Sequence, residues 1–398
     1  MSVAGCLWAL LLGVPASALA QHVEDGASTA KVRLGPLGLT PRISIRNFGV
    51  DSNVLRSTDA ARKDFTATFE PRLDSWLRIG NARFAATSAA EWSYFGRVTS
   101  ERSVGRSHSA MGEWRMSRLT PFGGLSFART ERSASLELDA RVPQTTSSQK
   151  GGVTLVIGPT LAFDVEGSRG TFELERVTPE GSQIAEALNR QTTSGMLTAR
   201  YEVTPLTTLV IRTGLQRDRF DLTPLRNSNS VTVMPGLEFK PFALISGSAF
   251  VGFRRFRTLD AQVPDYAGMT AAVNLSYIAR EMTRFSIGAR RDIEYSFELT
   301  QPYYLATGAD FSVVQMLGPG WDVVGRVAAN RLSYRGLDGV VGAEGRRDRT
   351  RSWGLGAGRH LSSGVRVGFD LDYMRRVSGV DGRGFHGYRF GGSVTYGS

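Results

Sequence analysis

Cysteine is almost absent. The single Cys6 lies in the first twenty residues, so the chain beyond them can hold neither a disulfide nor a thiolate metal site. Lysine is scarce: Lys31, Lys63, Lys150 and Lys240 are the only four, and arginine carries nearly all of the +11 formal charge. Arginine spread along the chain, rather than gathered on one segment, argues against nucleic acid as a partner. It fits attraction to anionic envelope polymers or lipid phosphates, which guanidinium groups bind in bidentate fashion. Beyond the start there is no apolar run of roughly 18 residues, which excludes an inner-membrane helical bundle. It leaves open a β-barrel, whose strands cross a bilayer with about 9–11 residues each.

The four histidines, His22, His108, His360 and His386, have no metal-ligand spacing with one another or with a carboxylate. His108 stands between Ser107 and Ser109, but nothing near it marks an orienting third group for nucleophilic catalysis. Gly354-Leu355-Gly356-Ala357-Gly358 lies inside a strand pattern and lacks the strand–turn–helix setting of a nucleotide site. Asp51-Ser52-Asn53 is explained by an Asx turn. No catalytic residue, metal or cofactor is expected.

Residues 1–20, MSVAGCLWALLLGVPASALA, have the apolar core (Leu7 to Val14) and small-residue end (Ala18-Leu19-Ala20) of a secretory signal peptide. Val3-Ala4-Gly5-Cys6 precedes the apolar run instead of coming after it, which counts against lipidation. Residues 21–40 form a short periplasmic lead-in, and residues 41–398 one repeated pattern.

That pattern is clearest in Met269 to Ser296. Met269, Ala271, Val273, Leu275 and Tyr277 alternate with small or polar residues, a break comes at Ala279 to Thr283, and alternation resumes at Phe285, Ile287, Ala289, Ile293 and Tyr295. A period of two gives a hairpin with one apolar face and one wet face. Similar pairs recur from Arg42 to Tyr396, about 18 strands with a range of roughly 16–20. Short turns such as Gly80-Asn81, Lys240-Pro241 and Gly318-Pro319-Gly320 alternate with longer, arginine-rich connections such as Gly336 to Arg349. Soluble strands average about five or six residues, and these are longer, with charges in mid-strand. Lipid on one face and a watery lumen on the other account for both, and closure satisfies edge hydrogen bonds that hydrocarbon cannot. The fold class is all-β: a transmembrane antiparallel up-and-down barrel with short periplasmic turns and longer extracellular loops.

Alternation assigns to the lumen Arg72, Arg200, Arg212, Glu238, Arg254, Arg284, Arg290, Asp292, Glu294, Asp310, Arg326, Arg366, Asp370 and Asp372. Glu70, Asp74, Glu91, Asp164, Glu166 and Glu202 share that face. Such a lining either holds a passing solute weakly at many sites or pairs across strands and stiffens the wall. Trp76, Trp92, Tyr94, Trp114, Tyr277, Tyr295, Trp321 and Trp353 are candidates for interfacial girdles. Arg291 falls on the lipid face, where a charge is costly, so it lies at headgroup height or beside a bulge. At the end of the chain, Tyr388, Phe390, Val394 and Tyr396 make an alternating aromatic strand, the form of a C-terminal signal for the barrel-assembly machinery.

The chain resembles the outer-membrane β-barrel porin family found with bacterial exopolysaccharide biosynthesis and export genes. The resembling stretches, in order, are Gly49-Val50-Asp51-Ser52-Asn53-Val54, Arg118-Leu119-Thr120-Pro121, Leu188-Asn189-Arg190, Thr204-Pro205-Leu206-Thr207-Thr208, Val263-Pro264-Asp265-Tyr266, Arg291-Asp292-Ile293-Glu294-Tyr295-Ser296 and Pro302-Tyr303-Tyr304. The resemblance implies a non-enzymatic channel in the bacterial cell outer membrane that exports an exopolysaccharide. Its implied partners are outer-membrane lipid and lipopolysaccharide, the secreted polysaccharide and a periplasmic export protein. The alternatives are a general or solute-selective diffusion porin and a plugged structural or adhesive barrel. A long inward-folded loop favours the small-solute porin, and an open lumen favours polymer export.

Overall fold

The computed structural model of the chain describes residues 30–133, 136–137, 141–175, 187–241, 243–340, 345–362 and 364–397. The segment expected to be a signal peptide lies outside them, as does most of the short helix expected at Ser182–Leu188, of which Ala187 and Leu188 are described as helical. The strands are β1 (Val32–Leu34), β2 (Leu37–Asp51), β3 (Asp64–Ile79), β4 (Ala82–Phe95), β5 (Ser103–Trp114), β6 (Leu119–Ser133), β7 (Arg141–Val156), β8 (Leu161–Leu174), β9 (Arg190–Thr204) and β10 (Thr207–Phe220). They continue as β11 (Ser228–Phe239), β12 (Ile245–Thr258), β13 (Tyr266–Ala279), β14 (Thr283–Tyr295), β15 (Tyr303–Met316), β16 (Trp321–Arg335), β17 (Arg347–Ser362), β18 (Val365–Val377) and β19 (Phe385–Tyr396).

From β2 to β19 each strand pairs antiparallel with the next, and β19 pairs back onto β2, closing an 18-stranded barrel. Closure leaves no open edge, which a hydrocarbon solvent would not tolerate. Connections alternate strictly in length. One end of the barrel has turns of two to five residues; the other has loops of seven to fifteen. The barrel starts earlier than expected. β2 begins at Leu37 rather than Arg42, and β1 folds back on it through Gly35-Pro36, with Val32 opposite Leu39. Several strands also run further toward the loop end than alternation suggests; β7, for example, starts at Arg141 rather than Gly151. Above the membrane both faces meet water, so the ladder continues after the apolar signal has stopped.

The two faces are inverted relative to a soluble protein. Phe253 (51% exposed), Ile287 (48%) and Leu355 (56%) stand outward, while Asp164, Asp218 and Asp322 are buried. In the hairpin β13–β14, Tyr277 lies opposite Phe285, Leu275 opposite Ile287 and Val273 opposite Ala289, all outward. Trp114, Tyr277 and Trp321 mark the short-turn end of this belt; Trp92 and Tyr94 mark the loop end of β4. Two girdle candidates fail. Trp76 has inward parity, opposite Gly38 and Ala85, and Tyr295 leaves the wall altogether for the barrel interior, where it bonds to Asp218. Tyr388, Phe390, Val394 and Tyr396 face outward on β19, on the seam where the barrel closes.

Candidate functional site

The charged positions gather on the concave face as ion pairs, most of them across strands and two, Arg290–Glu294 and Arg72–Asp74, within one. Arg200 contacts Asp164 and lies 3.6 Å from Glu238, which also takes a 2.6 Å bond from Arg212. Arg254 donates to Asp292 (2.7 Å) and to the Ser230 hydroxyl (3.0 Å). Arg290 meets Glu294 at 3.1 Å, and Arg72 meets Asp74 at 2.9 Å. Arg46 joins Glu70 and Glu91, Lys150 joins Glu166, and Lys240 joins Glu202. Arg284 stands between Ile278 on β13 and Val314 on β15. Asp310 lies over Gly288.

One part of this ladder spans two strands at a step. Arg326 on β16 reaches Asp370 (2.8 Å) and Asp372 (3.1 Å) on β18, and Arg366 on β18 makes a bidentate pair with Asp322 on β16. Both cross over β17, where the inward residues are Gly354, Gly356 and Gly358. A Cβ on any of the three would collide with Asp372, Asp370 or Arg366. The glycine-rich stretch is therefore clearance for the ladder. Asp322, which also accepts from His360 at 2.9 Å, was not among the expected positions because it sits one residue from a turn.

The larger departure from the expected barrel is at the loop end of β14. Pairing between β13 and β14 stops at Ala271–Arg291, yet β13 stays on β12 as far as Tyr266, and β14 stays on β15 as far as Tyr295–Tyr303. The wall forks there, and the β14–β15 tip turns into the barrel. Side chains satisfy the backbone left unpaired. The Thr270 hydroxyl donates to the Arg291 carbonyl (2.8 Å), and Arg291 Nε and the Tyr266 hydroxyl donate to the Met269 carbonyl. Arg291 Nη1 donates to Thr307 at 3.1 Å. The awkward outward charge is thus the clamp of the fork; there is no bulge between β13 and β14.

Beyond the fork, Ile293 and Tyr295 are enclosed, contrary to the lipid-facing positions expected of them. Tyr295 donates to buried Asp218 on β10 (2.8 Å), shares a hydrogen bond with Ser228 on β11, packs edge-on against Phe220, and lies under the Arg190 guanidinium. Ser296, Gln301 and Pro302 are buried, and Tyr303 and Tyr304 are both buried although they point to opposite faces. Adjacent aromatics buried on both sides were the available sequence signal for an element with protein on each face. Phe256, Val263, Tyr266, Ile293, Tyr303 and Leu305 fill the fork as one apolar cluster.

The tip is pinned by charges from other loops. Glu137, 3% exposed, accepts from Ser296 Oγ (2.9 Å) and the Phe297 amide (3.3 Å), with Arg346 and Arg383 within 3.8 Å. Arg226 donates to the Ser296 and Glu298 carbonyls, Arg383 to Glu298, and Arg376 to the Leu136 and Glu137 carbonyls. Burial pushes the Glu137 carboxyl up to about 7, against the pull of Ser296, Arg346 and Arg383. Burial pulls the Arg226 guanidinium down to about 10, opposed by Glu137 and Glu298. Sequence reasoning missed Glu137, Arg226, Arg346 and Arg383, because loops carry no periodicity, and Arg376, because it lies at the very end of β18. Among the described residues no group of three or more histidine, cysteine or acidic side chains could hold a metal.

A closed antiparallel barrel with an apolar outer belt, an ion-paired inner face and an inserted hairpin defines an outer-membrane porin-like protein. Residues 29–396 match the family described as "Putative beta-barrel porin 2", and the chain belongs to that family. No curated protein sequence matches. The fold is similar to that of a BenF-like porin from Pseudomonas fluorescens Pf-5, at 13% identity and a TM-score of 0.48, covering 90% of this chain and 98% of that one. It is also similar to OccK2 (OpdF) from Pseudomonas aeruginosa, at 12% identity and a TM-score of 0.49, covering 90% and 97%. A bacterial polysaccharide outer membrane secretin matches at 10% identity and a TM-score of 0.36, covering 90% and 97%. These are likenesses of fold and say nothing of cargo.

Proposed function

We propose that the protein is a passive outer-membrane channel for small hydrated solutes. One observation carries this reading: the β14–β15 tip lies inside the barrel, buried on both faces and bonded to β10, β11 and the loops that follow β6, β10, β16 and β18. An element held from that many sides narrows the passage to a fixed constriction. In this reading the concave charges, Arg200, Arg212, Glu238, Arg254, Asp292, Arg326 and Asp370 among them, form the polar lining. With both signs present and mostly paired, the lining serves polar solutes through exchangeable contacts and needs no energy source. Export of an exopolysaccharide, the function the motif order implies, requires a lumen clear along its whole length. The inserted tip would have to withdraw for each polymer, breaking the Tyr295–Asp218 and Glu137–Ser296 contacts.

Reconstituted liposomes test the reading by swelling in solutes of graded size. Monosaccharides and small organic acids should enter and oligosaccharides should be excluded. Entry of long polysaccharide at a comparable rate, or loss of surface polysaccharide from cells lacking the gene, would overturn it in favour of export.

A further inference from the structure

We propose that the outer face of β16–β18, at its loop end, binds the phosphorylated headgroup of a glycolipid in the outer leaflet. Six arginines make up this surface: Arg331, Arg335, Arg347, Arg349, Arg351 and Arg375. All six are exposed and share the outward parity of Val327, Trp353, Leu355 and Phe369. The register sets Arg331 directly opposite Arg349, and Arg351 directly opposite Arg375. Like charges facing each other across a ladder are unfavourable, and the outward positions of these three strands hold no acid to relieve them. Their acids, Asp322, Asp348, Asp370 and Asp372, all take the opposite parity and are paired there.

The cationic patch is continuous with the membrane-facing belt. Trp353 and Tyr373, with rings 5.8 Å apart, lie next to Arg351 and Arg375 on the same face, one step toward the short-turn end. A ligand matching this surface needs several phosphate charges at the headgroup level and acyl chains beneath them. Guanidinium groups bind phosphate oxygens in bidentate pairs, so a multiply phosphorylated glycolipid fits both parts. A soluble polyanion would match the arginines but leave the adjoining apolar belt unused, and the continuity of the two surfaces favours the lipid. Elsewhere the outer arginines are fewer or otherwise engaged: Arg129 pairs with Glu175, Arg106 lies over Phe127, and Arg217, Arg255 and Arg257 on β10 and β12 make a group of only three.

Native mass spectrometry of the detergent-solubilised barrel with bisphosphorylated lipid A tests the proposal. The wild type should retain the lipid. The variant Arg331→Gln/Arg349→Gln/Arg351→Gln/Arg375→Gln should retain it about tenfold more weakly, the change expected when roughly 1.4 kcal/mol of charge-assisted contact is lost. The same four positions changed to Lys should give an intermediate value, because charge remains and the bidentate geometry does not. If the quadruple variant does not fold, the pairs Arg331→Gln/Arg349→Gln and Arg351→Gln/Arg375→Gln carry the comparison, with Arg106→Gln/Arg255→Gln as the control on other strands. Equal retention by the Gln variants, equal retention of dephosphorylated lipid A, or displacement by an anionic polysaccharide that carries no phosphate would overturn the proposal.

Discussion

Glu137 gives the inserted hairpin a pH dependence whose sign is fixed by the structure. Around its carboxyl stand Ser296, Phe297 and Tyr304 of the β14–β15 tip, Arg226, Arg346 and Arg383 of three other loops, and Tyr334 of the wall; Arg376 of β18 donates to its backbone carbonyl, and Glu298 and Asp348 pair with Arg346. Freed into water the Glu137 carboxyl would titrate at the ordinary 4.5; docked, it titrates at about 7. Between these values the docked state holds a proton that the released state does not, so acid favours docking. Above about 7 the ionised carboxylate sits in a site that disfavours it by on the order of 3 kcal/mol relative to water. Stability of the docked tip is therefore greatest at the acid end of this window and falls as the pH rises through it. Hydrogen–deuterium exchange of residues 296–301, corrected for intrinsic rates, should show more protection at about pH 5.5 than at about pH 8.5. Glu137→Gln, neutral at every pH, should stay protected and lose the dependence. Protection that rises with pH in the wild type, or an unchanged pH profile in Glu137→Gln, would rule out Glu137 as the group that sets docking.

Four further outcomes rest on particular contacts. Tyr295→Phe removes the hydroxyl that donates to buried Asp218, weakening the anchor by about 1–3 kcal/mol; limited proteolysis should cut within 296–302, and unchanged resistance would deny the anchor. Asp322→Ala strips the partner from Arg366, with Asp322 only 1% exposed, and should cost about 3–5 kcal/mol in urea unfolding from lipid. Lys240→Ala, at a half-exposed ion pair, should cost no more than about 1 kcal/mol in the same assay. Gly356→Val places a side chain where a Cβ already meets Asp370 at 2.5 Å, so it should lower the melting temperature more than Gly167→Val, where the space is open.

The barrel was legible because alternation reports directly on which face meets an apolar solvent. Phe285, Ile287 and Ala289 fall where that rule puts them. Ile293 and Tyr295 keep the same period yet lie inside, since a period of two says that faces differ and not what each touches. Arg291 was the visible inconsistency, and it marks the fork itself. Pairing of lumenal charges was readable in kind, from similar numbers of both signs, but not in partner: Arg326 reaches across β17 to Asp370 only because Gly354 and Gly356 lie between. The loop cluster around Glu137 brings together residues more than two hundred positions apart, and no local pattern encodes that.

If the inserted hairpin sets the width of the passage, removing it must widen the channel. Asp292 and Ala306 face each other across β14 and β15, so an Asn-Gly turn can join them and delete the tip while keeping the rest of the ladder. Single-channel conductance in planar bilayers compares that deletion with the wild type. The wild-type channel should be narrow, and the deletion should conduct several-fold more and admit oligosaccharides; equal conductance and equal size exclusion in the two would contradict a constriction formed by the hairpin.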